Sequence, residues 1–302
     1  MKKTIIIDCD PGLDDSIAII CAHKLQEINV LGLTTVAGNA SVENTTNNAL
    51  GLLDSIGWDL PVIIGSNTPL VKKRKLSSTR TGLGNVILDK SDKEALKDDP
   101  SIFIYEQAKK YNGELEILSL APLTNIAKTL IKYPDIKNLI KSITFMGGTT
   151  GKGNVTETSE FNMYVDPDAA KIVFESGIPL IMVGLDITRK ANIPVEEIDF
   201  FNKSDTVHGL LVGKLLDAIR ERECFLGQNY VEVHDAVALA SLVMPSMIKK
   251  KKFKVSIETE NIQSLGMLML DYRNACETEK NIGIAFDIDI EMFRDWMKFL
   301  VC

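Results

Sequence analysis

Thr4-Ile5-Ile6-Ile7-Asp8-Cys9-Asp10-Pro11-Gly12-Leu13-Asp14-Asp15 opens the chain with a β-branched run, a Pro-Gly turn and the first residues of a helical pattern. The apolar run favours a buried strand, Pro-Gly ends it, and the pattern from residue 15 to 23 has a helical period. Strand, turn and helix in that order begin a βαβ unit. Working outward, residues 30–36, 62–64, 116–119, 143–146 and 180–183 read as further strands, and 42–56, 101–111, 125–132 and 168–175 as the helices between them. Asp99-Pro100 and Asp166-Pro167 have the form of an N-cap followed by N1, and Ser176-Gly177 that of a C-cap. The second half is more helical, with helices expected at 206–226 and 235–243 before strands at 253–257 and 283–288. No internal repeat or low-complexity linker divides it. The expected fold is α/β, one domain over residues 1–302 around a mostly parallel open sheet.

At 302 residues, 45% hydrophobic and 25% charged, the composition is that of a globular protein and excludes disorder. A net charge of -7 argues against nucleic acid or a membrane surface as partner. The run Lys249-Lys250-Lys251-Lys252 reads as a solvated turn after Pro245. The five cysteines, at positions 9, 21, 224, 276 and 302, are odd in number and never spaced as C-x-x-C, so they support neither a disulfide framework nor a zinc knuckle and fit a reducing cytoplasm. Only four uncharged residues separate Lys3 from Asp8, too few for a signal-peptide core, and no stretch of about 18 uncharged apolar residues follows. The expectation is a mature, soluble chain.

In a parallel sheet, ligands bind beyond the carboxyl ends of the strands. Polar residues there are therefore candidates: 8–15, 37–39, 121–125, 147–154 and Asp186. The first group stands out, because Asp8, Asp10, Asp14 and Asp15 fall within eight residues. Like charges so close raise one another's pKa or demand a cation. Asp8 and Asp10, two apart on a strand end, are expected to point the same way; Asp14 and Asp15 start a helix whose dipole favours negative charge. Capping would account for one of the four carboxylates only. Oxygen ligands without adjacent His or Cys suit a hard cation, Ca²⁺ or Mg²⁺, rather than zinc.

His234-Asp235 heads the helix expected from 235, while Glu160-Phe161-Asn162, if extended, would place Glu160 and Asn162 on one side and Phe161 on the other. Taken alone, each also has a structural reading, a capped helix in one case and a half-buried strand in the other. The other histidines, His23 and His208, belong to no second motif. The Gly/Ser/Thr-rich stretches 77–85 and 147–154 read as loops over a site.

Together these segments closely resemble the nucleoside hydrolases, the inosine-uridine-preferring family. Residues 8–15 look like its N-terminal signature, and Thr34-Thr35-Val36-Ala37-Gly38-Asn39, Leu123-Thr124-Asn125-Ile126-Ala127, Phe145-Met146-Gly147-Gly148, Glu160-Phe161-Asn162, Val183-Gly184-Leu185-Asp186 and Val233-His234-Asp235 follow in the family order over nearly the whole chain. The resemblance implies a Rossmann-like fold, calcium-dependent hydrolysis of ribonucleosides in nucleoside salvage, and a homodimer or homotetramer. It further implies a Ca²⁺ ion held by Asp10, Asp15, Asp235 and the Thr124 carbonyl. Asp14, Asn39 and Asn162 would take the ribose diol edge, Glu160 and Asn154 the 5′ hydroxyl, and Met146 would lie against the sugar. Asp8 would support them, Asp10 would act as base toward the attacking water, and His234 would serve the departing nucleobase.

The resemblance weakens at the base end. Ser78-Thr79-Arg80-Thr81-Gly82-Leu83-Gly84 has no histidine where several relatives carry one, and within 222–230 the candidates are Gln228 and Tyr230. Two other readings compete. Asp8-Cys9-Asp10 also resembles the Asp-x-Asp pair of haloacid-dehalogenase-like phosphatases, but Pro11-Gly12 and the later motifs do not fit that pattern. A nucleoside-binding sensor that has lost turnover would be expected to lack one of the catalytic side chains, and all are present.

Overall fold

The computed structural model describes residues 2–71, 81–224, 227–273 and 280–302, with the backbone alone at Cys224. In chain order the strands are β1 (Lys3–Cys9), β2 (Ile28–Thr35), β3 (Val62–Ile63), β4 (Leu115–Ser119), β5 (Ile140–Met146), β6 (Leu180–Val183), β7 (Ile193–Pro194), β8 (Tyr230–Val231), β9 (Ile248–Ile257), β10 (Leu268–Asp271) and β11 (Ile282–Ile288). The helices are α1 (Leu13–Lys24), α2 (Val42–Ser55), α3 (Pro100–Tyr111), α4 (Thr124–Lys132), α5 (Phe161–Val165), α6 (Pro167–Phe174), α7 (Leu185–Thr188), α8 (Val195–Asn202), α9 (Val207–Cys224), α10 (His234–Val243) and α11 (Ile290–Val301). The sequence-based α/β expectation holds, with element ends shifted by a few residues.

Nine strands form one sheet in the order β10-β9-β11-β6-β5-β4-β1-β2-β3. The six from β6 to β3 are parallel, β11 joins β6 in parallel, and only β9 runs antiparallel to its neighbours β11 and β10. The chain builds β1, β2 and β3 outward on one side, then returns to lay β4 on the other side of β1. That reversal opens a crevice between the carboxyl ends of β1 and β4, the place where open α/β sheets bind ligands.

Side-chain alternation along β1 sends Ile5 and Ile7 into one core and Ile6 into the other, all fully buried. Helices α1, α2 and α8 to α11 cover the first face; α3, α4 and α6 cover the second. Helix α1 is buried from Asp15 to Ala22 because α9, α10 and α11 pack over it. A helix apolar all round needs such a second layer. Helix α10 lies between α1 and strands β4 to β6, so its first turn reaches the crevice from late in the chain.

The Asp99-Pro100 and Asp166-Pro167 starts form as expected, with Asp99 capping Ser101 N–H and Asp166 capping Ala169 N–H. At the end of α6 the capping residue is Glu175, with Gly177 (φ 81°) completing the turn. Two expectations are corrected. Lys249 to Lys252 lie within β9, not in a turn: they pair with β11, and Lys249 bridges to Asp287 at 2.9 Å. Lys249, Lys251 and Lys252 stay exposed and only Lys250 is partly buried, so sequence polarity alone reads this strand as a loop. Glu160-Phe161-Asn162 is not extended; Glu160 caps α5, because its carboxylate accepts the otherwise unpaired N–H groups of Asn162 and Met163.

Ile7 sits on the central strand without solvent exposure, so Ile7→Ala should cost about 2–5 kcal/mol. A urea unfolding midpoint equal to that of the unaltered chain would contradict this packing.

Candidate active site

The acids after β1 are held by backbone amides rather than by basic side chains. Asp15, in the first turn of α1, accepts Asp10 N–H and Gly12 N–H, both at 3.1 Å, and the Asn39 amide at 3.0 Å. Asp10 Oδ2 accepts the Asn39 N–H, and its Oδ1 is buried without a partner. Gly38 permits this approach, since a Cβ there would stand 2.0 Å from Asp10 Oδ2. Asp8 points instead to the sheet interior, where one oxygen takes Thr34 Oγ1–H and the Asn125 amide (2.8 Å) and the other is unpaired. Asn125 thus ties β1 to β2 by also donating to the Thr35 carbonyl at 3.0 Å.

From α10, Asp235 enters the same place, buried, with Oδ1 unpaired. Oxygens of Asp14, Asp15 and Asp235 lie within 4.8 Å of one another. This group contains Asp14, which the sequence reading reserved for the sugar, while Asp10 adjoins it through its N–H, which donates to Asp15. Thr124 opens α4, and its hydroxyl is engaged by Asp166 Oδ2 at 2.6 Å. Among the described residues, none of these carboxylates forms an ion pair with a lysine or arginine. Burial, reinforced by neighbouring acids, holds Asp10 and Asp235 well above the carboxylate range and pushes Asp15 up to about 7. Burial alone pushes Asp8 up to about 6, against the hydrogen bonds from Thr34 and Asn125.

Above these acids is a cavity of about 550 Å³. Asp14, Asn39, Met146, Asn154, Glu160, Asn162, His234 and Asp235 all line it; Asp10, Asp15 and Thr124 lie outside the lining. Glu160 reaches across to accept Gly148 N–H at 2.9 Å, and Gly148 (φ 76°) turns the backbone after β5 to present it. Burial raises Glu160 despite this amide, Asn162 N–H and Met163 N–H. Asn162 donates to the Leu120 and Met146 carbonyls, at 3.0 and 3.2 Å, which leaves its Oδ1 to the cavity. Asn154 Oδ1 accepts Phe161 N–H at 2.9 Å. Asp186 lies behind the 147–154 loop, accepting Thr150 N–H at 2.7 Å.

Gln228 lines the far wall as expected, whereas Tyr230 does not. Residues 77–80 of the Gly/Ser/Thr-rich stretch, and Phe225 and Leu226 of the second, fall outside the described residues. Arg189, Arg222, Glu223 and Glu232 were missed, and all line this wall. A signal for Glu232 existed: Val231-Glu232-Val233-His234 alternates, with both valines fully buried. His23 and His208 meet each other at 2.9 Å, on α1 and α9, and line no part of the cavity.

The donor set fits a hard divalent cation: the donors are oxygens, two of the buried ones lack partners, and their acidity is suppressed only while they remain bare. The acids' folded pKa values lie above their ordinary 3.8, so the cation-free fold holds more protons than the unfolded chain, and its stability falls as pH rises from about 4 to about 7. Added Ca²⁺ should therefore raise the Tm strongly near pH 7 and little near pH 4. A Tm at pH 7 indifferent to both Ca²⁺ and chelator would refute the site.

A family model described as inosine-uridine preferring nucleoside hydrolase matches residues 5–295. The chain is 36% identical to the pyrimidine-specific ribonucleoside hydrolase RihA of Photobacterium profundum, over 98% of this chain and 97% of that one. It is 33% identical to the non-specific ribonucleoside hydrolase RihC of Salmonella newport, over 97% and 95% respectively. Among solved structures, the purine-preferring ribonucleoside hydrolase from Gardnerella vaginalis superposes with a TM-score of 0.92 at 29% identity, covering 99% of this chain and 98% of that one. Sheet order, buried acids and end-to-end similarity agree: the chain belongs to the inosine-uridine preferring nucleoside hydrolase family.

Proposed function

We propose that the chain hydrolyses the N-glycosidic bond of purine and pyrimidine ribonucleosides, giving ribose and free base, with Ca²⁺ as its resident ion. The observation that carries this reading is the set of partnerless carboxylate oxygens beneath a cavity whose other walls offer hydrogen-bonding side chains. Asp10, Asp15, Asp235 and the Thr124 carbonyl would hold the ion, with Asp14 at its cavity side. When bound, the ion supplies positive charge that acidifies water and draws a vicinal diol toward it.

The chain's own residues do the rest. Asp10 has one oxygen fixed by Asn39 N–H and one free, and the free oxygen takes the proton of the attacking water. Asp14, Asn39 and the Asn162 Oδ1 grip the ribose diol edge; Glu160 and Asn154 take the 5′ hydroxyl, and Met146 packs on the ring. Cleaving a ribosyl C–N bond develops oxocarbenium character, which these electron-rich oxygens stabilise. His234 donates a hydrogen bond to the departing base. Burial lowers its pKa, opposed by Asp14 and Glu232, so it works as a neutral donor near pH 7.

The relatives named pyrimidine-specific, non-specific and purine-preferring differ in the base, not the sugar, consistent with ribose as the common handle. Purine and pyrimidine ribonucleosides are accordingly the proposed substrate class. The family resemblance supports a homodimer or homotetramer acting in nucleoside salvage. Among the described residues no helix is long and apolar enough to cross a membrane, and Cys9, Cys21 and Cys302 are free thiols, consistent with a cytoplasmic setting.

Asp10→Asn should lower kcat on uridine and inosine by about 10²–10⁴-fold while nucleoside binding persists. Unaltered turnover would remove Asp10 as the base. His234→Ala should slow both nucleosides more than p-nitrophenyl riboside, whose leaving group needs no hydrogen bond. Equal losses on both substrate types would leave His234 a structural role only.

A further inference from the structure

Both ring nitrogens of His234 are engaged, and the two partners differ in kind. Nδ1 lies 2.7 Å from the hydroxyl of Thr188, a fully buried residue at the end of α7 that lies outside the cavity lining. Nε2 lies 3.3 Å from Glu232 Oε2, and Glu232 lines the cavity. The imidazole is therefore oriented, with Nδ1 toward the protein interior and Nε2 toward the cavity.

An ionised carboxylate can only accept, whereas a hydroxyl can donate or accept. With Glu232 on Nε2, the neutral ring keeps its hydrogen there, and Nδ1 accepts from the Thr188 O–H. The other tautomer would set the Nε2 lone pair against the carboxylate and lose that bond. The side chains of His234 and Glu232 are only 15% and 13% exposed, so the preference acts in a medium less screening than water. Glu232 is itself placed by its backbone N–H, which donates to Glu223 Oε2 at 3.3 Å. In Val231-Glu232-Val233-His234 the buried valines leave Glu232 and His234 both at the cavity.

We infer that Glu232 is a positioning residue for the reaction: it holds the His234 imidazole with the Nε2–H on the cavity side, where an acceptor atom of the departing nucleobase takes the hydrogen bond over. This rests on the proposed role of His234. Glu232 acts through the histidine, and the sugar end of the cavity does not depend on it.

The test is steady-state kinetics of the full chain with uridine, inosine and p-nitrophenyl riboside, comparing Glu232→Ala, Glu232→Gln and His234→Ala with the unaltered protein. Glu232→Ala should lose about tenfold or more in kcat on both nucleosides, with KM and p-nitrophenyl riboside turnover within about twofold. Glu232→Gln, whose amide oxygen accepts the same N–H, should recover most of that loss, and it guards against an Ala variant that fails to fold. Unchanged nucleoside kcat in Glu232→Ala, equal losses on all three substrates, or a Gln variant no better than Ala would overturn the inference alone. Failure of the unaltered protein to release ribose, or an unaffected His234→Ala, would overturn it together with the reading beneath it.

Discussion

Carboxylates buried beside one another without a basic partner are costly, and the fold is arranged around that cost. Asp10, Asp15 and Asp235 are removed from water at the crevice between β1 and β4. Their charge is partly offset by backbone amides, from Asn39 onto Asp10 and from residues 10 and 12 onto Asp15, but two oxygens find no donor among the described residues. A protein can relieve such strain with a proton or a cation. Protonation would silence the acids as ligands and as a base; a divalent ion keeps them ionised. Tolerance of this arrangement is thus itself a statement about function.

The requirement explains why two distant stretches meet. Helix α1 brings Asp14 and Asp15 at its N-terminal turn, where the dipole softens their repulsion, and α10 brings His234 and Asp235 by lying between α1 and the sheet. The half of the cavity proposed to take the sugar is built from strand ends and helix starts of the parallel sheet. Its other half is built from the α9 to α10 segment and α7, which hang on that scaffold.

Much of this was legible in the chain. The βαβ rhythm, the two Asp-Pro helix starts and the position of the strand-end residues follow from local rules, and every residue assigned to the sugar lines the cavity. Two readings failed for physical reasons, and other features were legible only in part or not at all. The Lys249 to Lys252 run is largely solvated, yet its backbone pairs with β11, and polarity of side chains does not report that pairing. Glu160-Phe161-Asn162 is short enough to fit either period, and the need to satisfy free N–H groups at the start of α5 decided it. Glu232 was legible only as the alternate partner of His234 between two buried valines, whereas Glu223, nine residues earlier, is brought to Glu232 N–H by tertiary packing. Spacing in sequence also does not reveal that oxygens of Asp14, Asp15 and Asp235 gather within 4.8 Å or that Asn39 N–H takes one oxygen of Asp10.

The central claim is that one divalent ion is gripped by the acids after β1 and by Asp235, and that catalysis requires it. Ribose release from uridine and inosine by chelator-treated protein, measured while Ca²⁺ is returned stepwise, tests it most directly. The account predicts that turnover vanishes with the ion and returns in full as about one ion per chain is bound. Undiminished turnover in the presence of excess chelator, in protein shown to be metal-free, would contradict it.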